Sequence, residues 1–392
     1  MRSAHSLPEL ARTLEVAVHC GDIDALAPAW TELEDAQHPG AAFRSWAWSS
    51  AWWNSFASGK ELLVLLARER GQLLGLLPLF CDRTIIGGRR VALLGEGIVG
   101  SDYLGCLAQP GARERVAHAF AAWLAALDCD ELALDGLLPG DPLLTALAAA
   151  LGPARVTVED RYRCPHLRLA GDFATYLGAL PDGTGAQWRR RRRWLEKRPG
   201  FAITELSAPD AVVAGLDTLF ALHHQRWSGD GGSAAIDSPA VEAFHRHAAR
   251  RLTERGWSRL YLLSVEGAAR AALYGFRHGD RFAFYQAGYD PDWRQRSVGT
   301  VLLGCLIERC FSDGVAEFDF LRGCESYKLN WANGWRHTVR LRAPGPSLRA
   351  RLRHRGRAGA RSLYEGAKGA LPAPALAWAR RARQQLRRGV NS

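Results

Sequence analysis

The chain carries one pattern twice, and that repeat restricts its fold more than any other feature. Residues 62–80, LLVLLARERGQLLGLLPLF, read as an apolar run, a charged turn with glycine, and a second apolar run. Residues 259–277, RLYLLSVEGAARAALYGFR, read the same way. The turns Arg70-Gly71 and Glu266-Gly267 fall at equivalent places, so each segment predicts a β-hairpin. After each hairpin comes another strand (90–95 and 281–289), a helix (111–127 and 299–313) and a short strand, ELALDGL or AEFDFL. An order repeated in this way predicts a duplicated α/β unit. The competing explanation is that strand–turn–strand–helix is a common order that recurs by chance.

Other features bound the class. A length of 392 residues and a hydrophobic content of 47% suffice for two cores. Glu9, Glu15 and Asp22 interrupt the N-terminal segment, so no signal peptide is expected. No uncharged apolar run reaches the ~18 residues a membrane span needs. The eight cysteines form no Cys-x-x-Cys pair and no zinc-like cluster, so no metal site is expected, and free thiols suit a reducing cytoplasm.

The net charge of +11 looks like a nucleic-acid signature until it is located. Residues 347–392 hold eleven arginines and Lys368 against Glu365 alone, which accounts for the whole excess. The segment LAWARRARQQLRR (376–388) sets Leu376, Ala379, Ala382 and Leu386 roughly along one side. Such a tail is either a basic amphipathic helix lying on an anionic membrane or a disordered solubilising extension. It lacks the interleaved aromatics of a single-strand groove, so nucleic acid is the third choice. A second basic run, Arg189–Arg193 within 184–200, cannot sit on one helix face. It reads as a solvated connecting helix or as a contact for phosphate or anionic lipid.

The sharpest local signal is DPDWRQRSVGTVLLGCLIERC (290–310). A helix N-terminus carries unsatisfied N–H groups and a partial positive charge, so it suits a pyrophosphate. Arg294, Arg296, Ser297, Val298, Gly299 and Thr300 supply basic and small residues there. The plain alternative is an ordinary serine cap and a tight entry turn.

In context, these residues carry a resemblance. The order hairpin, strand, Arg-x-x-Ser-x-Gly helix, strand resembles the GNAT acyltransferase fold. Ser297 stands where that family has its first glycine, and serine supplies its own N–H and hydroxyl. GYDPDWRQRSVGTVLL, FDFLRGCESYKLNW, LHHQRW and FRSWAWSSAWW are together similar to one branch, the double-GNAT proteins of the CelD-like and Fem-like kind, over residues 30–343. The resemblance implies an α/β fold of two tandem GNAT-like domains, with mixed, mostly antiparallel sheets flanked by helices. The expected divisions are 1–165, a first domain without a coenzyme site; 166–200, a strand and Arg-rich connecting helix; 201–345, a second domain with the acyl-CoA site; and 346–392, the basic tail. The first half enters its helix through Pro110 and Gly111 with no comparable basic loop, so the coenzyme belongs to the second half.

Candidate chemistry follows from the same segments. By resemblance, Lys328 after Tyr327 takes an electrostatic role at the tetrahedral intermediate; most lysines are instead surface residues. Glu325, three residues earlier, is a base or that lysine's ion-pair partner. Asp319 alternates with Phe318 and Phe320, and faces a cleft or makes a structural hydrogen bond. Tyr285 and Tyr289 lie on the strand expected to meet the pantetheine; Tyr285 is a candidate acid for the leaving thiolate, or a packing residue. His223 and Arg226 in LHHQRW, and Asp102 and Tyr103 in GSDYLG, are candidate acceptor contacts. SWAWSSAWWNSF (45–56) reads as an amphipathic helix or a sugar-stacking platform.

The expected activity is acetyl-CoA-dependent (acyl-CoA) transfer to an amine or hydroxyl of a sugar or polysaccharide precursor, in the cytoplasm near the inner membrane face. Two alternatives stand beside it: a Fem-like aminoacyl transferase using charged tRNA, and a non-catalytic scaffold of a polysaccharide synthase complex.

Overall fold

The computed structural model describes residues 14–36, 42–84, 88–227, 236, 238–345 and 350. The expected membrane contact of 347–392 lies, apart from Ala350, outside the described residues.

The first half runs β1 (Glu15–His19), α1 (Ala27–Asp35), α2 (Trp46–Phe56), β2 (Lys60–Glu69), β3 (Gln72–Arg83), β4 (Arg89–Leu93), β5 (Leu107–Ala108), α3 (Arg113–Ala126), β6 (Glu131–Leu137), α4 (Pro142–Leu151) and β7 (Thr157–Arg168). The second runs α5 (Phe173–Ala179), α6 (Thr184–Glu196), β8 (Ala202–Leu206), α7 (Pro209–Trp227), α8 (Pro239–Glu254), β9 (Ser258–Val265), β10 (Ala268–His278), β11 (Arg281–Tyr289), α9 (Val298–Ser312), β12 (Glu317–Asp319), α10 (Ser326–Leu329) and β13 (Gly334–Pro344). Both predicted hairpins form, β2–β3 and β9–β10, and their turns match in conformation. Arg70 and Gly71 have φ of 52° and 81°, while Glu266 and Gly267 have 53° and 76°. Two successive positive φ values suit the right-handed twist of the flanking strands.

All the described strands join one sheet, in the order β1-β2-β3-β4-β6-β13-β7-β12-β11-β10-β9-β8, with β5 beside β3. Reversing the second half superposes its order on the first, as duplication requires. The terminal strands are exchanged: β13 pairs with β6, and β7 pairs with β12. β7 and β13 also pair with each other and so join the halves. Among the described residues the parallel neighbours are β4–β6 and β11–β12.

Those parallel pairs are short. β11 meets β12 at Arg281, Phe282 and Ala283 alone, and then continues to Tyr289 after β12 has ended at Asp319. The result is a wedge along Phe284–Tyr289. β12 ends because Leu321 takes the left-handed conformation, with φ of 55°, and its amide donates to Asp319 Oδ1 at 2.8 Å. A branched residue pays conformational energy there, so surrounding contacts must enforce it.

Helices cover both faces of the second half. α9 and α6 pack on one face over Phe282, Phe284, Phe318 and Phe320. α7 and α8 pack on the other, over Tyr274, Phe276 and Tyr285. Trp48 of α2 enters this second core and meets Phe244 edge-on at 4.7 Å and Tyr285 at 5.4 Å. Each such pair adds about 0.5–1.5 kcal/mol beyond area burial. Trp48 and Trp52 are almost fully buried, so the tryptophan-rich helix joins the halves with its apolar face.

Candidate active site

The sequence Asp290-Pro291-Asp292 after β11 makes a tight turn. The Asp290 side chain accepts from the Asp292 amide at 3.0 Å and pairs with Arg270 at 2.8 Å. The turn ends at Ser297, which is left-handed with φ of 55°, and α9 begins at the next residue. Ser297 makes no side-chain cap hydrogen bond, so it is not the ordinary serine cap. The first helical bond is donated by Val301 to the Ser297 carbonyl at 2.9 Å. The amides of Val298, Gly299 and Thr300 therefore open a helix of 15 residues with no intrahelical acceptor.

Arg294 and Arg296 flank this end and are exposed. Arg296 is not loose, because its guanidinium lies 4.1 Å from the centre of the Trp194 ring. Arg198 covers the same ring at 3.8 Å. Trp194 belongs to α6, which is locked to α9 by Trp188; the indole N–H donates to the Val301 carbonyl at 3.2 Å. So α6 contributes Trp194 beside the α9 entrance, with Arg198 just beyond the helix end on the same ring, while Arg192 is drawn into pairs with Glu196 and Glu308. Arg198 did not stand out in the sequence.

Tyr289, at the end of β11, faces Gly299, where an added Cβ would lie 3.5 Å from the ring. Arg226 approaches Tyr289 from α7, with its guanidinium 5.0 Å from the ring centre. This approach depends on Gly288, since a Cβ there would sit 2.7 Å from the His223 amide nitrogen. His223 itself is buried beneath, and burial holds its pKa down at about 4, helped by His224 and Arg226. On the other flank, Tyr327 meets Phe284 edge-on at 6.4 Å. Burial pushes the Tyr327 phenol above its ordinary value. Lys328 is only 6% exposed. Its Nζ donates to the Arg322 carbonyl at 2.7 Å, pairs with Glu325 at 3.2 Å and lies 5.9 Å from the Phe284 ring. Glu325 thus stands as the lysine's ion-pair partner.

Four other candidates lie apart from this entrance, at the junction of the halves. Simple alternation puts Tyr285 and Tyr289 on one face of β11. A bulge breaks that alternation: Tyr274 pairs with Gln286 and Gly275 with Phe284, leaving Tyr285 as the extra residue. Tyr285 consequently joins the α8-side core and donates to the Val99 carbonyl. Burial raises its pKa well above the ordinary value. Asp319 is also buried; Oδ1 accepts from Tyr103 at 3.2 Å, and Arg336 stands 3.8 Å from Oδ2. Burial lifts its pKa to about 6 against the lowering pull of Arg336. Asp102 has no exposed surface and is occupied by Arg322, a residue the sequence reading did not single out.

Residues 184–329, from α6 to α10, match the acetyltransferase (GNAT) domain family. The chain carries a GNAT domain. Its fold is similar to the crystal structure of FemX, at a TM-score of 0.59 and 9% identity, over 83% of this chain and 96% of that one. It is also similar to the C-terminal (DUF2156) domain assigned to a lysylphosphatidylglycerol synthetase of Agrobacterium fabrum, at 0.52 and 11%, over 84% and 95%. At such identities the likeness is one of fold. No curated protein matches the chain. With the repeated topology, the GNAT domain occupies the second of two tandem GNAT-like units, and the wedge and the α9 entrance both lie within it. No helix among the described residues is long and apolar enough to cross a membrane.

Proposed function

We propose that this chain is a coenzyme-A-dependent acyltransferase that moves an acyl group, acetyl in the simplest case, to an amine or hydroxyl of a sugar or cell-envelope polysaccharide precursor. The observation that carries this reading is the uncapped start of α9. Three consecutive amides open at the end of the β11–β12 wedge, with Arg294 and Arg296 beside them. That chemistry fits a diphosphate. Bound acyl-CoA supplies the activated thioester. Arg294, Arg296 and the amides of Val298 to Thr300 hold its diphosphate, and Tyr289 and Arg226 line the approach. Lys328 supplies positive charge for the oxyanion, where a preorganised donor contributes most. Tyr327 flanks it, and Glu325 pairs with the ammonium. Asp319, Tyr285, Tyr103 and Asp102 shape the wall between the halves in this reading, and His223 lies beneath the Tyr289 approach. The acceptor class, and peripheral contact of 347–392 with an anionic membrane, rest on the sequence resemblance and the tail's charge.

Calorimetry with acetyl-CoA tests the reading. Micromolar binding is expected, reduced at least ~30-fold in an Arg294→Ala/Arg296→Ala variant as two charge-assisted contacts are lost. No heat with wild-type protein would sink it.

A second reading, aminoacyl transfer from charged tRNA, is favoured by the likeness to FemX along both chains. Binding of charged tRNA without any response to acetyl-CoA would select it.

A further inference from the structure

We propose that Asp102 of the first half, acting through Arg322, is the positioning device for Lys328. The proposal rests on the reading of Lys328 as the ammonium of the transfer site.

Asp102 has no exposed surface, and both its oxygens are engaged by one residue. Oδ2 accepts from the Arg322 amide at 2.9 Å and Oδ1 from Arg322 Nε at 2.8 Å. The guanidinium also donates to the Ser101 carbonyl and lies 4.2 Å from the Tyr162 ring centre. Ser101 is fixed in turn by Trp48 Nε1, which donates to its hydroxyl at 2.8 Å. Main chain and side chain of Arg322 are therefore both clamped by the first half. The residue before it, Leu321, is held left-handed with φ of 55°. What this clamp orients is the Arg322 carbonyl, which accepts from Lys328 Nζ at 2.7 Å.

The consequence is that the ammonium's place is set across the junction between the two units. Glu325 is its other partner, at 3.2 Å, on a side chain that is half exposed. An exposed carboxylate holds a lysine loosely, because solvent screens the pair. The carbonyl on a clamped loop defines the position more strictly. A carboxylate with both oxygens used and no surface has nothing to offer an acceptor, so Asp102 serves as a positioning residue.

Trace acetylation of lysines by acetic anhydride, read by peptide mass spectrometry on the full chain without coenzyme, tests this. The four lysines are Lys60, Lys197, Lys328 and Lys368. Lys197 is exposed, and Lys60, whose Nζ donates to the Phe56 carbonyl at 2.6 Å, reports on the first half. Wild-type Lys328 is expected to label slowly relative to Lys197. Asp102→Asn should raise the Lys328 rate roughly tenfold, the size of one lost charge-assisted hydrogen bond, with Lys60 unchanged. If Asp102→Asn unfolds, Lys60 will rise in step, and Arg322→Gln and Arg322→Ala then decide. Glutamine keeps a donor where Nε stood and should preserve the slow rate, whereas alanine should lose it. Equal Lys328 rates across these variants and the wild type overturn the proposal. Silence toward acetyl-CoA would instead remove the coenzyme-A reading and leave the labelling result standing.

Discussion

The phenol of Tyr103, in the first unit, donates a 3.2 Å hydrogen bond to Oδ1 of Asp319, which ends β12 in the second. Both residues are buried, and each half supplies one partner. A carboxylate buried at such a junction makes the fit of the two units depend on pH.

The first prediction concerns that carboxylate. Burial raises the Asp319 pKa from 3.8 to about 6. The folded chain therefore holds this proton more tightly than the unfolded chain. Its contribution is fully present below pH 3.8 and is lost as pH rises through about 6. Ionisation costs on the order of 3 kcal/mol. Asp319→Asn, which keeps an acceptor for Tyr103, should remove this slope and gain relative stability at pH 8. Urea unfolding between pH 4 and 8 measures it; an unaltered slope would refute the assignment.

His245 acts with the opposite sign. It lies among Phe244, Tyr285, Trp48 and Phe220, with neither ring nitrogen hydrogen-bonded. Burial lowers its pKa from 6.5 to about 3, with His223 adding to the effect. Stability from this group is present above pH 6.5 and is lost as pH falls toward 3, on the order of 5 kcal/mol in all. His245→Phe should move the acid-unfolding midpoint to lower pH, as followed by circular dichroism. A midpoint that stays put would show that another group controls acid unfolding.

Gly304 tests the packing of α6 on α9. A Cβ at this position would lie 2.1 Å from Trp188 Nε1. The indole cannot yield without losing its bond to Val301. Gly304→Ala should cost about 1–3 kcal/mol as overpacking does, lowering the melting temperature and shifting tryptophan emission. Full retention of both would mean that the helix pair has room to part.

Trp194 offers a check on the proposed coenzyme contact. Its ring orients Arg296 from one side and Arg198 from the other. Trp194→Ala should weaken acetyl-CoA binding about two- to fivefold, the value of an exposed cation–π hold. Affinity equal to wild type would place the Arg296–Trp194 stack outside the ligand's reach.

Much of the architecture was legible in the residues alone. The charged turns at Arg70-Gly71 and Glu266-Gly267, the order of strands and helices after them, and the helix opening at Ser297 all follow from local patterning. Hairpin turns, amphipathic periods and helix starts are encoded over a few neighbouring residues, so reading along the chain suffices. The pairing of Glu325 with Lys328 was likewise within reach, because three residues of spacing in a helical turn bring two side chains together.

Contacts between distant parts of the chain were not legible. The exchange of β7 and β13 depends on which strand edge each half leaves open, and nothing near either strand states that. The bulge at Tyr285 reversed a face that strict alternation assigns, because one unpaired residue resets the period of two. Arg322 looked like any loop arginine until the fold set Asp102, 220 positions earlier, against its amide and Nε. The sequence by itself determined a repeated α/β unit and the chemistry of one helix entrance, since those are local properties of short segments. Only the tertiary structure decided which carboxylates are buried and which carbonyl holds the lysine, because burial and cross-junction hydrogen bonds are properties of the packed chain.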